Sequence, residues 1–237
     1  MTILSMEPNT EVLVLEMGMD RPGQLHALSS LAEPDVAVIT MIGEAHIEFF
    51  KTRAKIADAK MEITDGLKED GTFIFNGDEP LLVSRAKQVT QSQETFGLHP
   101  ENTLFAHSIS GHRNHTEFTV EQWPELTFSI PIMGEYNVVN ALAALLVGRR
   151  FHVKPEAMQK ALVHFQVTAN RTQWLIGDVG EQILSDVYNA NPTAMKAVIH
   201  DFSEFQTAGR HIAVLGDMLE LGEQSRALHA GLALSLI

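Results

Sequence analysis

At 237 residues, with 45% hydrophobic side chains, the chain suits one large domain or a domain and part of a second, and its core needs no covalent staples. It has no cysteine, which excludes disulfides and thiolate metal sites and fits a reducing cytoplasm. The formal net charge of −13 argues against nucleic acid as the main partner, because a phosphate backbone calls for a basic face.

Residues 11–17, 36–42 and 72–76 are short apolar runs rich in β-branched side chains, the pattern of strands covered on both faces. Helices are predicted between them, over 22–32, ended by Pro34, and over 52–68. Strand, helix, strand, helix, strand indicates an α/β fold with a mostly parallel sheet. The stretch 103–130 alternates instead, with turn signals at Ser110-Gly111 and Trp123-Pro124, and predicts a small antiparallel meander. A strong helix follows over 137–151, then a second opened by Pro155. The apolar pattern lapses at 166–172, which places a domain boundary there, between 1–168 and 169–237. Beyond it, strands near 182–187 and 211–216 flank a helix over 192–205, the expected start of a second, Rossmann-like α/β domain that stops short at Ile237. No run approaches the ~20 apolar residues of a membrane span. The first residues lack the basic start and apolar core of a signal peptide, so the expected location is cytoplasmic.

Chemistry concentrates at the carboxyl ends of the predicted strands, where open α/β sheets bind ligands. Glu16 ends the first run and His46 follows the second; each alone is an ordinary structural residue, and together they converge on one crevice. There Glu16 offers a hard oxygen to Mg²⁺ and His46 a ring nitrogen. Lys60 falls on the apolar stripe of its helix, four residues after Ile56 and three before Ile63. Burial lowers a lysine pKa, so Lys60 is a nucleophile, a carbamate-forming amine that ligates Mg²⁺, or a side chain that snorkels to water. Asn76 and Asp78 end the third strand, either in a plain Asn-Gly turn or as ligand contacts. Asn137 and Asn140 open the long helix, Asn137 as an N-cap or the pair as nucleotide contacts. Arg171 sits in the junction, as a surface arginine or one that reaches a phosphate across the cleft. Asp186, Tyr188, Asn189 and Asn191 crowd a strand end more densely than a turn requires, and Asp217 repeats the pattern. HRNH at 112–115 has helical metal spacing but lies at a predicted hairpin tip, which makes it a solvated turn. The motif G-x-x-x-x-G-K-[ST] does not occur.

Six segments together resemble the Mur ligases of bacterial cell-wall synthesis: VLEMGMDRPGQ, the His46 of GEAHIE with the Lys60 of AKMEI, FNGD, GEYNVVNALAA, DVYNANPTAMKA and LGDMLELGEQ, in family order over essentially the whole chain. The resemblance implies most of a central ATP-binding domain and the first part of a carboxyl-terminal ligase domain. It implies an amide ligase that forms an acyl phosphate with ATP. The expected substrates are UDP-N-acetylmuramoyl-tripeptide and D-alanyl-D-alanine. By the same analogy Glu16 and His46 hold Mg²⁺, Lys60 is a carbamylated lysine on a second metal, and Asn137 and Asn140 border the adenine. Asn76, Asp78, Asp186, Tyr188 and Asn189 join the nucleotide site, with Arg171 on the phosphate. The departures are Tyr136 for a usual histidine, Phe50-Lys51 for Gly-Ser, Ser185 for aspartate, and the missing phosphate loop. That last gap keeps a second reading open, a non-catalytic structural or interaction remnant of the fold; under either reading the unfinished carboxyl-terminal unit leaves a sheet edge unpaired, and self-association through it is expected. A third, a metal hydrolase on Glu16, His46 and Asp78, leaves Lys60 without a role.

Overall fold

The structure, a computed structural model, describes residues 2–166, 168–207 and 209–235. Residue 167, within the stretch where the domain boundary is expected, and the terminal residues 236 and 237 lie outside them.

Six strands form one sheet, in which each lies beside its neighbour in sequence. β1 (Val36–Ile39), β2 (Thr72–Asn76), β3 (Ser92–Gly97) and β4 (Leu104–Gly111) run parallel. β5 (Thr116–Val120) and β6 (Thr127–Ile130) extend the sheet antiparallel. β2 is the spine: Phe73 and Phe75 stack at 4.8 Å toward one core, while Ile74 points to the other. A strand covered on both faces has no polar side, which is why this run is continuous rather than alternating. β3 and β4 share only two registers, Phe96 with Leu104 and Gly97 with Phe105. β4 therefore runs on past the parallel part and becomes the first strand of the meander, so the short link 98–103 suffices where fully overlapped parallel strands need a crossover.

Helices cover both faces. α1 (Gln24–Ala32) precedes β1, and α2 (Ile47–Phe50), α3 (Arg53–Met61) and α4 (Pro80–Ala86) enclose Ala37, Ile39, Phe73 and Phe75. α5 (Glu135–Arg150) lies over Ile74, Phe96, Leu104, Phe118 and Phe128 with Val138, Leu142, Leu145 and Leu146. α6 (Pro155–Val163) then packs on β6 and α5. α1 docks where there is no room to spare: the buried Ser29 hydroxyl donates to the Ile63 carbonyl at 2.5 Å and accepts from the Gly66 N–H at 3.1 Å. A Cβ on Gly66 would stand 2.2 Å from the Ser29 carbonyl oxygen.

Several elements differ from expectation. Residues 11–17 join no strand ladder; Val12 is 48% and Val14 79% exposed. An apolar run becomes a buried strand only beside a sheet edge with cover on both faces, and this segment has neither. β1 ends at Ile39 rather than 42, and α3 stops at Met61, tightening into a 3-10 turn over Glu62–Thr64. α4 and β3 were not anticipated. The long helix starts at Glu135 behind Gly134, so Asn137 is not its cap but a first-turn residue whose amide donates to the Met133 carbonyl at 2.8 Å. Beyond residue 170, β7 (Gln173–Ile176) and β8 (Gln182–Ser185) pair antiparallel. Residues 211–216 form no strand, and Val214 is almost fully exposed. The Rossmann-like start is thus an antiparallel pair followed by α7 (Pro192–Glu204) and α8 (Ser225–Leu232). Ile199, Met218, Leu221 and Leu232 from this part share a core cluster with Ile39 and Phe50. Among the described residues no helix is long and apolar enough to cross a membrane.

Candidate functional site

The loop after β1 gathers groups from distant parts of the chain. His46 has a left-handed φ of 62° at the start of α2, and its Nδ1 meets the Glu220 carboxylate. The Glu220 carbonyl accepts the Glu48 N–H at 2.9 Å, and the Gln224 amide donates to the Lys51 carbonyl at 2.9 Å. The Thr193 hydroxyl, in the first turn of α7, donates to Glu44. Lys60 comes up from α3 beneath this loop and donates its Nζ to the Met41 carbonyl at 2.8 Å. Burial disfavours the ammonium and holds the Lys60 pKa below that of an ordinary lysine. Lys60 and His46 therefore belong to one loop system.

Glu16 is exposed and lacks the strand that was expected to aim it. The chain just after it, Gly18 to Asp20, lines with His46 an open hollow of about 590 Å³ against α1. Asn76 and Asp78 do close a structural turn. The Asn76 side-chain Oδ1 accepts the Asp78 N–H, and the Asp78 carboxylate accepts from the Leu98 N–H at 2.5 Å and the Asn102 amide at 2.7 Å. Those bonds occupy the carboxylate, so the hydrolase built on Glu16, His46 and Asp78 loses its third member.

A second cavity, also about 590 Å³, lies between α5 and the β7–β8 part of the chain. It is lined by Asn137, Asn140, Arg171, Asp186, Tyr188 and Asn189, six of the residues singled out from the sequence, with Ile130, Leu162 and Phe165 as apolar wall. The Arg171 guanidinium stacks over the Tyr188 ring at 4.3 Å, leaving its N–H edge free to turn toward a ligand. Asp186 is fixed by the Thr172 N–H at 2.8 Å, and the Thr172 hydroxyl meets the Tyr136 phenol at 2.8 Å. Burial raises the Tyr136 pKa, so the phenol stays a neutral hydrogen-bonding group. Gly134, at φ 106°, opens α5 beside Asp201; a Cβ there would stand 2.5 Å from the Asp201 carboxylate. Only glycine satisfies both the backbone angle and the space.

Thr172, Glu44, Thr193 and Glu220 escaped sequence reading. Tyr136 was visible only as a departure from histidine, and Glu220 sat in a motif whose Asp217 drew attention instead. Asp217 is exposed and pairs with His229 at 2.7 Å.

Residues 1–148 match the family model described as Mur ligase middle domain, and residues 170–237 match Mur ligase, glutamate ligase domain. The chain is 44% identical over 229 residues to the UDP-N-acetylmuramoyl-tripeptide–D-alanyl-D-alanine ligase of Bacillus subtilis (strain 168), covering 97% of this chain and 49% of the relative. The ligase of the same name from Escherichia coli (strain K12) is 31% identical, again over 97% of this chain and 51% of its own length. Among solved structures, MurF from Acinetobacter baumannii superposes with a TM-score of 0.87 at 28% identity, over 94% of this chain and 48% of that one. MurF ligase from Thermotoga maritima in complex with ADP gives 0.80 at 29% identity, over 92% and 50%. The chain thus spans about half the length of the relatives it matches. With one family model covering well over half of its residues and a second covering most of the rest, the chain belongs to the Mur ligase family.

Proposed function

We propose that this chain is the nucleotide-handling part of an ATP-dependent amide ligase that adds D-alanyl-D-alanine to UDP-N-acetylmuramoyl-tripeptide through an acyl phosphate. The observation that carries the reading is the α5 cavity, where amides from before the 166–172 junction face Arg171 within it and Asp186 and Tyr188 beyond it. Its apolar wall suits a base, its carboxamides offer paired donors and acceptors to a ring edge, and Arg171 supplies a cation for phosphate. A nucleotide lodged there touches both parts of the chain and fixes their relative orientation, the kind of positioning that phosphoryl transfer depends on. The division into an ATP-binding part, 1–168, and a carboxyl-terminal ligase part, 169–237, follows the same junction. An ATP-dependent step on a UDP-linked precursor places the protein in the cytoplasm.

The loop system suits magnesium in the type of its donors, although those donor atoms do not converge on one point. Glu44 and Glu220 bring hard oxygens to the His46 loop, and the desolvated Lys60 amine is suited to capture CO₂ as an anionic carbamate ligand, with Glu16 as a further carboxylate. Bound there, Mg²⁺ would neutralise phosphate charge.

Titrating ADP into the chain by calorimetry tests the proposal. Saturable binding is expected, weakened roughly tenfold, or about 1.4 kcal/mol, by Asn140→Ala or Arg171→Ala. Absent binding, or equal affinity in both variants, overturns it. A phosphate-release assay on these 237 residues alone should show little turnover, because they contain no phosphate-loop motif. ADP binding lost together with turnover favours the non-catalytic remnant.

A further inference from the structure

The hairpin joining β4 to β5 turns through Arg113 and Asn114, closed by the His112 N–H donating to the His115 carbonyl at 2.9 Å. In such a two-residue turn the flanking residues 112 and 115 are a cross-strand pair, and the register continues with Ser110 opposite Glu117. Strand side chains alternate faces, so 115 and 117 share one side and 110 and 112 the same side opposite. The other side carries Thr116 and Phe118 into the core. A spacing that suits a helix thus becomes, across a turn, a compact set on the outer face of the sheet. The sequence reading of a solvated turn was right about the turn and missed what the register gathers.

The two imidazoles stack at 4.4 Å with only 15° between their planes. Both turn Nε2 toward Glu117, at 4.0 Å from His112 and 3.7 Å from His115. Among the described residues, His112, His115 and Glu117 form the one group of His, Asp and Glu whose ligand atoms approach closely enough to hold a metal, all within 4.8 Å of one another. With bonds of about 2.0–2.1 Å, the ligand atoms of a tetrahedral Zn²⁺ stand roughly 3.3 Å apart, so small side-chain rotations close the set. The Ser110 hydroxyl lies 3.3 Å from His112 Nε2 and helps orient that ring.

We infer that His112, His115 and Glu117 form a binding site for a borderline divalent transition ion of the Zn²⁺ class. Two ring nitrogens and one carboxylate select such an ion over Mg²⁺ or Ca²⁺, which prefer all-oxygen sets. The site is separate from the α5 cavity and from the His46 loop. It also reaches the second part of the chain: Arg113, between the two histidines, lies with its guanidinium carbon 5.2 Å from the centre of the Trp174 ring on β7. A metal that clamps the turn holds that arginine against the β7–β8 pair.

Calorimetry with ZnCl₂ on the untagged chain tests the site. Saturable binding is expected, at least about tenfold weaker in His115→Ala and in Glu117→Gln, and undiminished in His164→Ala. No saturable binding, or equal binding in the double variant His112→Ala/His115→Ala, overturns the inference. Should the variants lose their fold, Co²⁺ added to the unaltered chain decides. Paramagnetic broadening centred on the His112 and His115 ring resonances supports the site, and broadening confined to other histidines sinks it.

Discussion

Lys60 donates to the Met41 carbonyl, yet burial outweighs that bond: the interior solvates the ammonium poorly, so the amine gives up its proton more readily than one in water. The neutral amine is the form that reacts with CO₂, so this burial favours the proposed carbamate. Under the proposed function, Lys60→Ala should cripple the ligation rate. Lys60→Arg should fail to restore it, since a guanidinium keeps the positive charge but forms no carbamate. A steady-state ligation assay checks this, and full activity in the alanine variant ends the carbamate proposal. The pattern Ile56-x3-Lys60-x2-Ile63 made this lysine legible, because helical spacing converts directly into a face. His46 was legible as a residue and not in its contacts: Glu220, its partner, stands 174 positions away, and no periodicity links the two.

Among elements, legibility followed how completely each was buried. β2 was read with its true ends because both of its faces are covered, and the meander because one face alternates with solvent. β3, Ser92–Gly97, is mostly polar with its burial confined to Phe96 and Gly97, so its sequence carries no period. The 11–17 run shows the opposite failure, since hydrophobicity alone does not say whether a sheet edge will be within reach. The α1 contact yields a quantitative expectation at this scale. Gly66→Ala drives a methyl into the Ser29 carbonyl and should destabilise the fold by about 1–3 kcal/mol, read as a fall in the urea midpoint at unchanged slope. An unchanged midpoint would mean that α1 moves aside at no cost.

The two parts of the molecule meet at an apolar cluster, the 43–51 loop, Tyr136 on Thr172 and Arg113 over Trp174, yet Ile176, Val179, Ile212, Val214 and Leu219 stay exposed beyond residue 170. Exposed apolar surface on that scale favours association, opposed here by a net charge of −13. Light scattering should therefore show apparent mass rising with protein concentration, and more steeply in high salt, where repulsion is screened. A constant monomer mass under both conditions would sink the expectation. The site was legible at this scale wherever motif residues flank the junction, and illegible wherever long-range docking decides, as with Thr193 on Glu44. The sheet's strict chain order has a further result for biosynthesis. Each strand emerges next to a template already made, so the layer can grow outward as translation proceeds. Its Ile74–Phe128 side nevertheless stays bare until residues 135–150 leave the ribosome, so that face closes only when this helix arrives.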